Sequence, residues 1–285
     1  MAVIPTIEYE TKLQERLGAP TVWKEVSLVK ITDSGIWRNP YLTDSTVGTG
    51  TRGTGYISTA IATVDDTVTI SAYIYSAEHI DDADLAQKTF SDFMKIADKM
   101  GTGLNEKMET LMLAEHATFT DFGGADIGLG GASTDAITVS ISNVKKIVSS
   151  MKKVIRVAGG GDKMNSDGAF IVWREADYEL VELLATSEGF STADDVLKNG
   201  IKQGFKYLGV EHYSTSRNVA GHVFGGVKKA LAVGIVKSTY GKMKTLINPV
   251  VSSAQISGVG FESRIDHKYK VWVNMKPILL DINVA

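Results

Sequence analysis

The residues able to do chemistry in this chain are few. There is no cysteine, which excludes disulfides, thiol nucleophiles, zinc–cysteine sites and cysteine-held iron–sulfur clusters. The five histidines are His79, His116, His212, His222 and His267. No two have the i, i+4 spacing that sets two imidazoles on one helical face, and HExxH does not occur. His212 and His222 could converge in space with Glu211 on a metal or a mobile proton; the competing reading is ordinary packed or surface histidines. The run Gly159-Gly160-Gly161-Asp162-Lys163 invites a phosphate-loop reading, but Met164 stands where a hydroxyl for magnesium is needed. Placed after a helix, its glycines read as a C-cap. Gly128-Leu129-Gly130-Gly131 has Ser133 in place of the third glycine of a dinucleotide fingerprint. GxSxG is absent. The acids Asp81-Asp82-Asp84 and Asp194-Asp195 sit at expected helix starts, where they complement the helix dipole. The expectation is a non-enzyme with no catalytic residue, cofactor or metal.

The 285 residues are 44% hydrophobic with a net charge of −3, enough for one large packed domain or two modest ones, and not the profile of a nucleic-acid binder or a disordered acidic chain. Charge is uneven. Lys198, Lys202, Lys206, Arg217, Lys228, Lys229, Lys237, Lys242 and Lys244 face only Glu211 in residues 196–250. That segment is either a basic surface for a polyanion or for acidic neighbouring subunits, or a plain solvated face. No window approaches the ~18 apolar residues of a membrane span, and Met1 to Glu10 lacks the features of a secretory signal. A soluble protein, unprocessed at its start, is expected.

The elements that must position these residues are of unequal clarity. Tyr9, Leu13 and Leu17 predict a short helix from Glu8 to Leu17 in an otherwise partly extended lead-in over residues 1–30. Residues 31–75 hold Gly48, Gly50, Gly53 and Gly55 among Thr46, Thr49, Thr51 and Thr54, too little apolar mass for a core. Alternation from Thr67 to Tyr75, with a weaker one at Ile57, Thr59 and Ile61 and a turn at Asp65-Asp66, predicts a long two-stranded excursion with a Gly/Thr tip. A lone hairpin is marginal in water, so a neighbouring subunit is its natural support. Phe90, Phe93, Ala97, Met100, Leu104, Met108, Leu111 and Met112 form one stripe and predict a helix over 83–116, roughly 50 Å long, weakened or bent at Gly101 and Gly103. Ala136–Ile141 reads as a strand. Ser142 reads as the N-cap of a helix burying Val144, Ile147, Val148, Met151 and Ile155. Ala169–Trp173, Tyr207–Tyr213, Ala230–Val236, Val271–Met275 and Ile278–Ile282 read as strands, Tyr178–Leu184 as helix, and Ser191 opens a further helix toward Ile201. The class is α+β.

This order of parts resembles the major capsid proteins of tailed bacteriophages, the Hong Kong 97-like fold. The resemblance is one of architecture: Asn143 to Ile155, then Phe170-Ile171-Val172-Trp173, then Tyr178-Glu179-Leu180, looks like the family's helix, strand, helix succession, and Gly204 to Tyr213 with His222 to Leu231 looks like its later segment. The resemblance implies an N-terminal arm at 1–30, an extended loop at 31–80, a peripheral domain with the spine helix at 81–141, a mainly axial domain at 142–250 and return strands at 251–285. It implies a homo-oligomer of pentamers and hexamers closing an icosahedral shell around DNA bound without sequence specificity. It further implies a virion location after assembly in the host cytoplasm, and portal and decoration proteins as partners. Thr46, Gly48, Gly50, Arg52, Gly53 and Tyr56 would make intersubunit contacts. Some relatives crosslink a loop lysine to a neighbour's asparagine; no lysine lies between Lys30 and Lys88, so noncovalent closure is expected. The long N-terminal scaffolding segment of some relatives has no counterpart, so a separate scaffolding protein is expected. An encapsulin-type nanocompartment is the related alternative, and a soluble α+β enzyme using His212, Glu211 and His222 the alternative of a different class.

Overall fold

The structure is a computed structural model that describes residues 6–18, 21–42, 63–81, 90–187, 204–251, 254–255 and 257–285. Helix α1 (Thr6–Gly18) and the short α2 (Val22–Val26) lead into strand β1 (Leu28–Thr32). The helix expected at Glu8–Leu17 is present. Leu13, Leu17, Trp23 and Val26 are buried, so this lead-in belongs to the core.

Strand β2 (Ile36–Leu42) pairs antiparallel with β3 (Thr63–Thr69), and β4 (Ala72–Asp81) follows. An excursion of paired strands is there, but its pairing differs from expectation. Asp65 and Asp66 are not a turn; they lie inside β3 opposite Pro40 and Asn39. The reason is tertiary: buried Asp66 accepts the Val273 N–H at 3.0 Å and pairs with Lys270 at 3.2 Å, so an acid pair that reads locally as a turn is an anchor. The alternation from Thr67 to Tyr75 is interrupted at Ile70-Ser71, between β3 and β4. The weaker run at 57–61 lies outside the described residues.

Helix α3 (Phe90–Ala114) runs unbroken through Gly101 and Gly103. The two glycines differ. A Cβ on Gly101 would stand 2.9 Å from the Cβ of Arg16 in α1, while nothing lies near Gly103. Gly101 therefore permits a close helix crossing, which Asn105 fixes by donating to the Arg16 carbonyl at 2.9 Å. The stripe Ala97, Met100, Leu104, Met108 and Met112 is buried. A 3-10 turn, Glu115–Thr118, leads to β5 (Thr120–Phe122).

Ala136–Ile141 is not a strand. It keeps one bridge, Ile137 to Val284. Asn143 holds a turn there, accepting the Ser140 N–H at 2.9 Å and donating to the Thr138 carbonyl at 2.8 Å, bonds that compete with a ladder. Asn143, not Ser142, precedes α4 (Val144–Val157), which buries the five expected residues. Gly159, at φ 80°, turns the chain toward α5 (Gly161–Asp167), then β6 (Ala169–Trp173), buried throughout, and α6 (Glu175–Ser187). The helix expected from Ser191 lies outside the described residues.

The single strand expected over Tyr207–Tyr213 is a hairpin of β7 (Phe205–Tyr207) and β8 (Val210–Ser214). It folds at Leu208-Gly209, both at positive φ (52° and 76°), as a two-residue hairpin turn requires. There follow β9 (His222–Val227), β10 (Leu231–Val236), β11 (Met243–Ile247), the small ladder β12 (Val250–Val251) and β13 (Ala254–Gln255), the long β14 (Gly258–Val271) and β15 (Leu279–Asn283). Val271–Met275 is not a strand: β14 ends at Val271 and Val273–Ile278 forms a 3-10 turn containing Pro277. Trp272 at this junction is buried, edge-on to Trp37 at 4.9 Å.

Among the described residues the strands form two main sheets. A six-stranded mixed sheet has the order β5-β15-β9-β6-β8-β7, with α4 packed against β9 and α6 against β6 and β8. A five-stranded sheet is built on β14, with β4 along one edge and β10 and β11 end to end along the other, β1 adding parallel to β10. Helix α3 packs against β4 and β14. No described helix is long and apolar enough to cross a membrane.

Candidate functional site

Glu211, His212 and His222 do not come together. Glu211 and His212 are neighbours on β8, so their side chains leave opposite faces of the sheet. His212 is wholly buried. Its Nδ1 accepts the Trp173 indole N–H at 2.9 Å and its Nε2–H donates to the Tyr207 carbonyl at 3.2 Å, which fixes one neutral tautomer. Burial pushes its pKa down to about 4, the Tyr207 hydrogen bond opposing only in part. Glu211 is ion-paired to Lys228, lies 3.5 Å from Lys206 and accepts the Tyr213 hydroxyl at 2.8 Å. Burial raises its pKa, but the hydrogen bonds from Lys228 and Tyr213 and the lysine charges outweigh this and lower it. Both groups are structural: one a neutral packed imidazole, the other a saturated carboxylate.

His222, at the start of β9, turns instead to Asp281 of β15, on the adjacent strand two residues along the register. The Asp281 carboxylate accepts Nδ1–H of His222 at 2.9 and 3.0 Å and Nδ1–H of His116 at 3.0 Å. The two imidazoles lie 4.0 Å apart, inclined at 33°. His116 comes from the 3-10 turn after α3, so the cluster joins the end of the long helix to the six-stranded sheet. Sequence reasoning misses it because His116 and Asp281 are 165 residues apart and share no local pattern.

The basic stretch at 196–250 is largely neutralised by acids distant in sequence. Arg217 meets Glu106 at 2.7 Å, Lys242 meets Glu10 at 3.1 Å, Lys237 meets Asp33 at 3.7 Å and Lys229 meets Asp167 at 3.9 Å. Lys198 and Lys202 lie outside the described residues. The ion pairs favour an ordinary solvated surface over a basic face aimed at a polyanion.

The five-stranded sheet carries an exposed apolar surface. Ile74 and Ile80 of β4 point inward, while Tyr73, Tyr75, Ala77 and His79 point outward. On β14 the inward set is Phe261, Ile265 and Tyr269, and the outward set includes Glu262 and Arg264. The Arg264 guanidinium stacks over Tyr73 at 4.1 Å. Tyr75 is 65% exposed, Val250 68% and Leu246 41%, and a groove of about 590 Å³ runs between Tyr73, Tyr75, Leu246 and Pro249. A contiguous aromatic and aliphatic strip interleaved with charges is the composition of a protein contact surface. The expected contact residues Thr46, Gly48, Gly50, Arg52, Gly53 and Tyr56 lie outside the described residues.

No protein-family model matches this sequence, and no curated protein matches it. Solved structures do. The capsid of an empty GTA particle superposes with a TM-score of 0.63 at 11% identity, covering 92% of this chain and 89% of that one. A chain from Mycobacterium phage Che8 gives 0.60 at 12% identity over 92% and 96%. The virus-like particle from Pyrococcus furiosus gives 0.57 at 10% identity over 98% and 99%. At such identities the likeness speaks for the fold, and it spans nearly the whole of each chain.

Proposed function

We propose that this chain, which has the Hong Kong 97-like fold, is a shell-forming capsid subunit. The observation that carries the reading is a correspondence with capsid structures that covers 92–93% of this chain. The outward strip of Tyr73, Tyr75 and Leu246 supports it, because a subunit that works alone has little reason to expose it.

In this reading residues 1–30 act as the N-terminal arm, 31–80 as the extended loop, 81–141 as the peripheral domain around α3, 142–250 as the mainly axial domain and 251–285 as the return strands. Pentamers and hexamers close an icosahedral head around DNA, in the virion, after assembly in a host cytoplasm with a separate scaffolding protein, a portal and decoration proteins. Weak contacts suffice because closed symmetry repeats each one many times. Thr46, Gly48, Gly50, Arg52, Gly53 and Tyr56 reach a neighbour, and with no lysine from 31 to 87 the loop holds by packing and hydrogen bonds.

The likeness to the Pyrococcus furiosus virus-like particle, which covers 99% of that chain, favours a second reading in which the shell is an encapsulin-type compartment with protein cargo. Electron microscopy of the purified protein tests both. Shells, rings or hexamers are expected, with nucleic acid inside for a capsid and protein for a compartment. A strictly monomeric species at high concentration overturns both. In the same assay, deletion of residues 46–56 is expected to impair assembly while leaving the subunit folded.

A further inference from the structure

We propose that His116, His222 and Asp281 form a binding site for one divalent transition-metal ion of the zinc type. The inference does not depend on the shell reading. Three features carry it. The three side chains bring one donor atom each to within 4.8 Å of one another. The three come from separate places, the 3-10 turn after α3, the start of β9 and the middle of β15, so their meeting is made by the tertiary fold. Their exposure is graded: the Asp281 side chain is 5% exposed, His116 16% and His222 30%. The carboxylate is thus fixed at the base and an entry path lies past His222.

The chemistry selects the ion. Two imidazoles and one carboxylate are the donors of three-ligand zinc sites, which keep a fourth position for water. Imidazole favours zinc, copper, nickel and cobalt over the hard cations calcium and magnesium. Tetrahedral bonds of roughly 2.0–2.1 Å separate donors by about 3.3 Å. The present N–O distances of 2.9 and 3.0 Å need to open by only a few tenths of an ångström. On binding, the ion takes the place of the two Nδ1 protons. Each ring keeps one proton, moved to Nε2, so neutral rings stay neutral and their lone pairs go to the metal. Asp121, the register partner of Asp281 on β5, adds a second carboxylate one strand away that favours a cation. A bound ion would tie the turn after α3 to the C-terminal strand, adding to the β5–β15 ladder that already joins them.

The test uses the full chain, stripped of metal with a chelator and exchanged into chelator-free buffer. Calorimetric titration with zinc chloride is expected to give one ion per chain, and zinc at about a hundredfold excess over Kd to raise the melting temperature by at least about 4 °C. Cobalt(II) in place of zinc should give the visible absorption of a tetrahedral or five-coordinate site. His222→Gln and His116→Gln should each weaken zinc binding by tenfold or more, while His79→Gln, on the outward face of β4, leaves it unchanged. Absence of a zinc-dependent melting shift in the parent chain overturns the site and leaves a hydrogen-bonded histidine pair. Equal zinc binding by parent and His222→Gln also overturns it. Should His116→Gln fail to fold, the His222 variant, at the more exposed rim of the cluster, decides alone.

Discussion

The two sheets solve different problems. In the six-stranded sheet, β6 is buried along its whole length and β9 nearly so, and their residues read as continuous apolar runs. In the five-stranded sheet, β4 and β14 alternate, with Ile74, Ile265 and Tyr269 inside and Tyr73, Tyr75 and Arg264 outside. Layers of helix cover the first; α3 covers the inner face of the second. The lesson is a division of labour. Stability is concentrated where both faces are covered, and the outward face of the other sheet stays exposed.

The largest effect should come from the covered sheet. Phe170→Ala on β6 removes a ring with no exposure, packed 5.5 Å from Phe224, and should cost about 3–5 kcal/mol in chemical denaturation. A loss below about 1 kcal/mol would break the comparison, since β6 would then not be the centre of the core.

His212 supplies the next effect. Its folded pKa of about 4 lies below the ordinary imidazole value of 6.5. Above pH 6.5 the imidazole is neutral in both states and no stability is lost. As pH falls from 6.5 to 4 the unfolded chain takes up a proton that the folded chain refuses, so stability declines, by about 3 kcal/mol in total, and levels off below 4. Urea midpoints across this window should fall more steeply for the parent than for His212→Gln. Parallel pH profiles would show that His212 is not held neutral.

The two glycines of α3 separate a packed position from an open one. Gly103→Ala should stabilise by about 0.5–1 kcal/mol, because an exposed helix interior gains propensity and nothing lies within reach of the new methyl. Gly101→Ala should instead destabilise, since its methyl meets the Arg16 Cβ at 2.9 Å and α1 must move. Equal thermal shifts for the two would mean α1 does not cross there.

Smallest in stability is Tyr75→Ser on the outward face, expected to change unfolding free energy by no more than about 0.5 kcal/mol. Sedimentation should nonetheless show impaired assembly. A variant that assembles like the parent would remove β4 from the contact surface.

The amphipathic stripes of α3 and α4 and the apolar run of β6 were legible because burial on one helical face or on both sheet faces imposes a local period. Tyr207–Tyr213 hid a hairpin because its turn uses Leu208 at positive φ, a residue that announces no turn. Val271–Met275 mimicked a strand because Trp272 is apolar for a tertiary reason, its contact with Trp37.

By itself the sequence determined the class, the long helix, the absence of thiol chemistry and the order of parts that resembles a capsid subunit. These follow from composition and from periodicities set by the 3.6-residue and two-residue repeats. Only the tertiary structure decided that Asp66 is an anchor, that Glu211 and His212 are structural, and that His116, His222 and Asp281 meet. Asp66 and the His116–His222–Asp281 cluster depend on contacts between residues far apart in the chain, which no local spacing records.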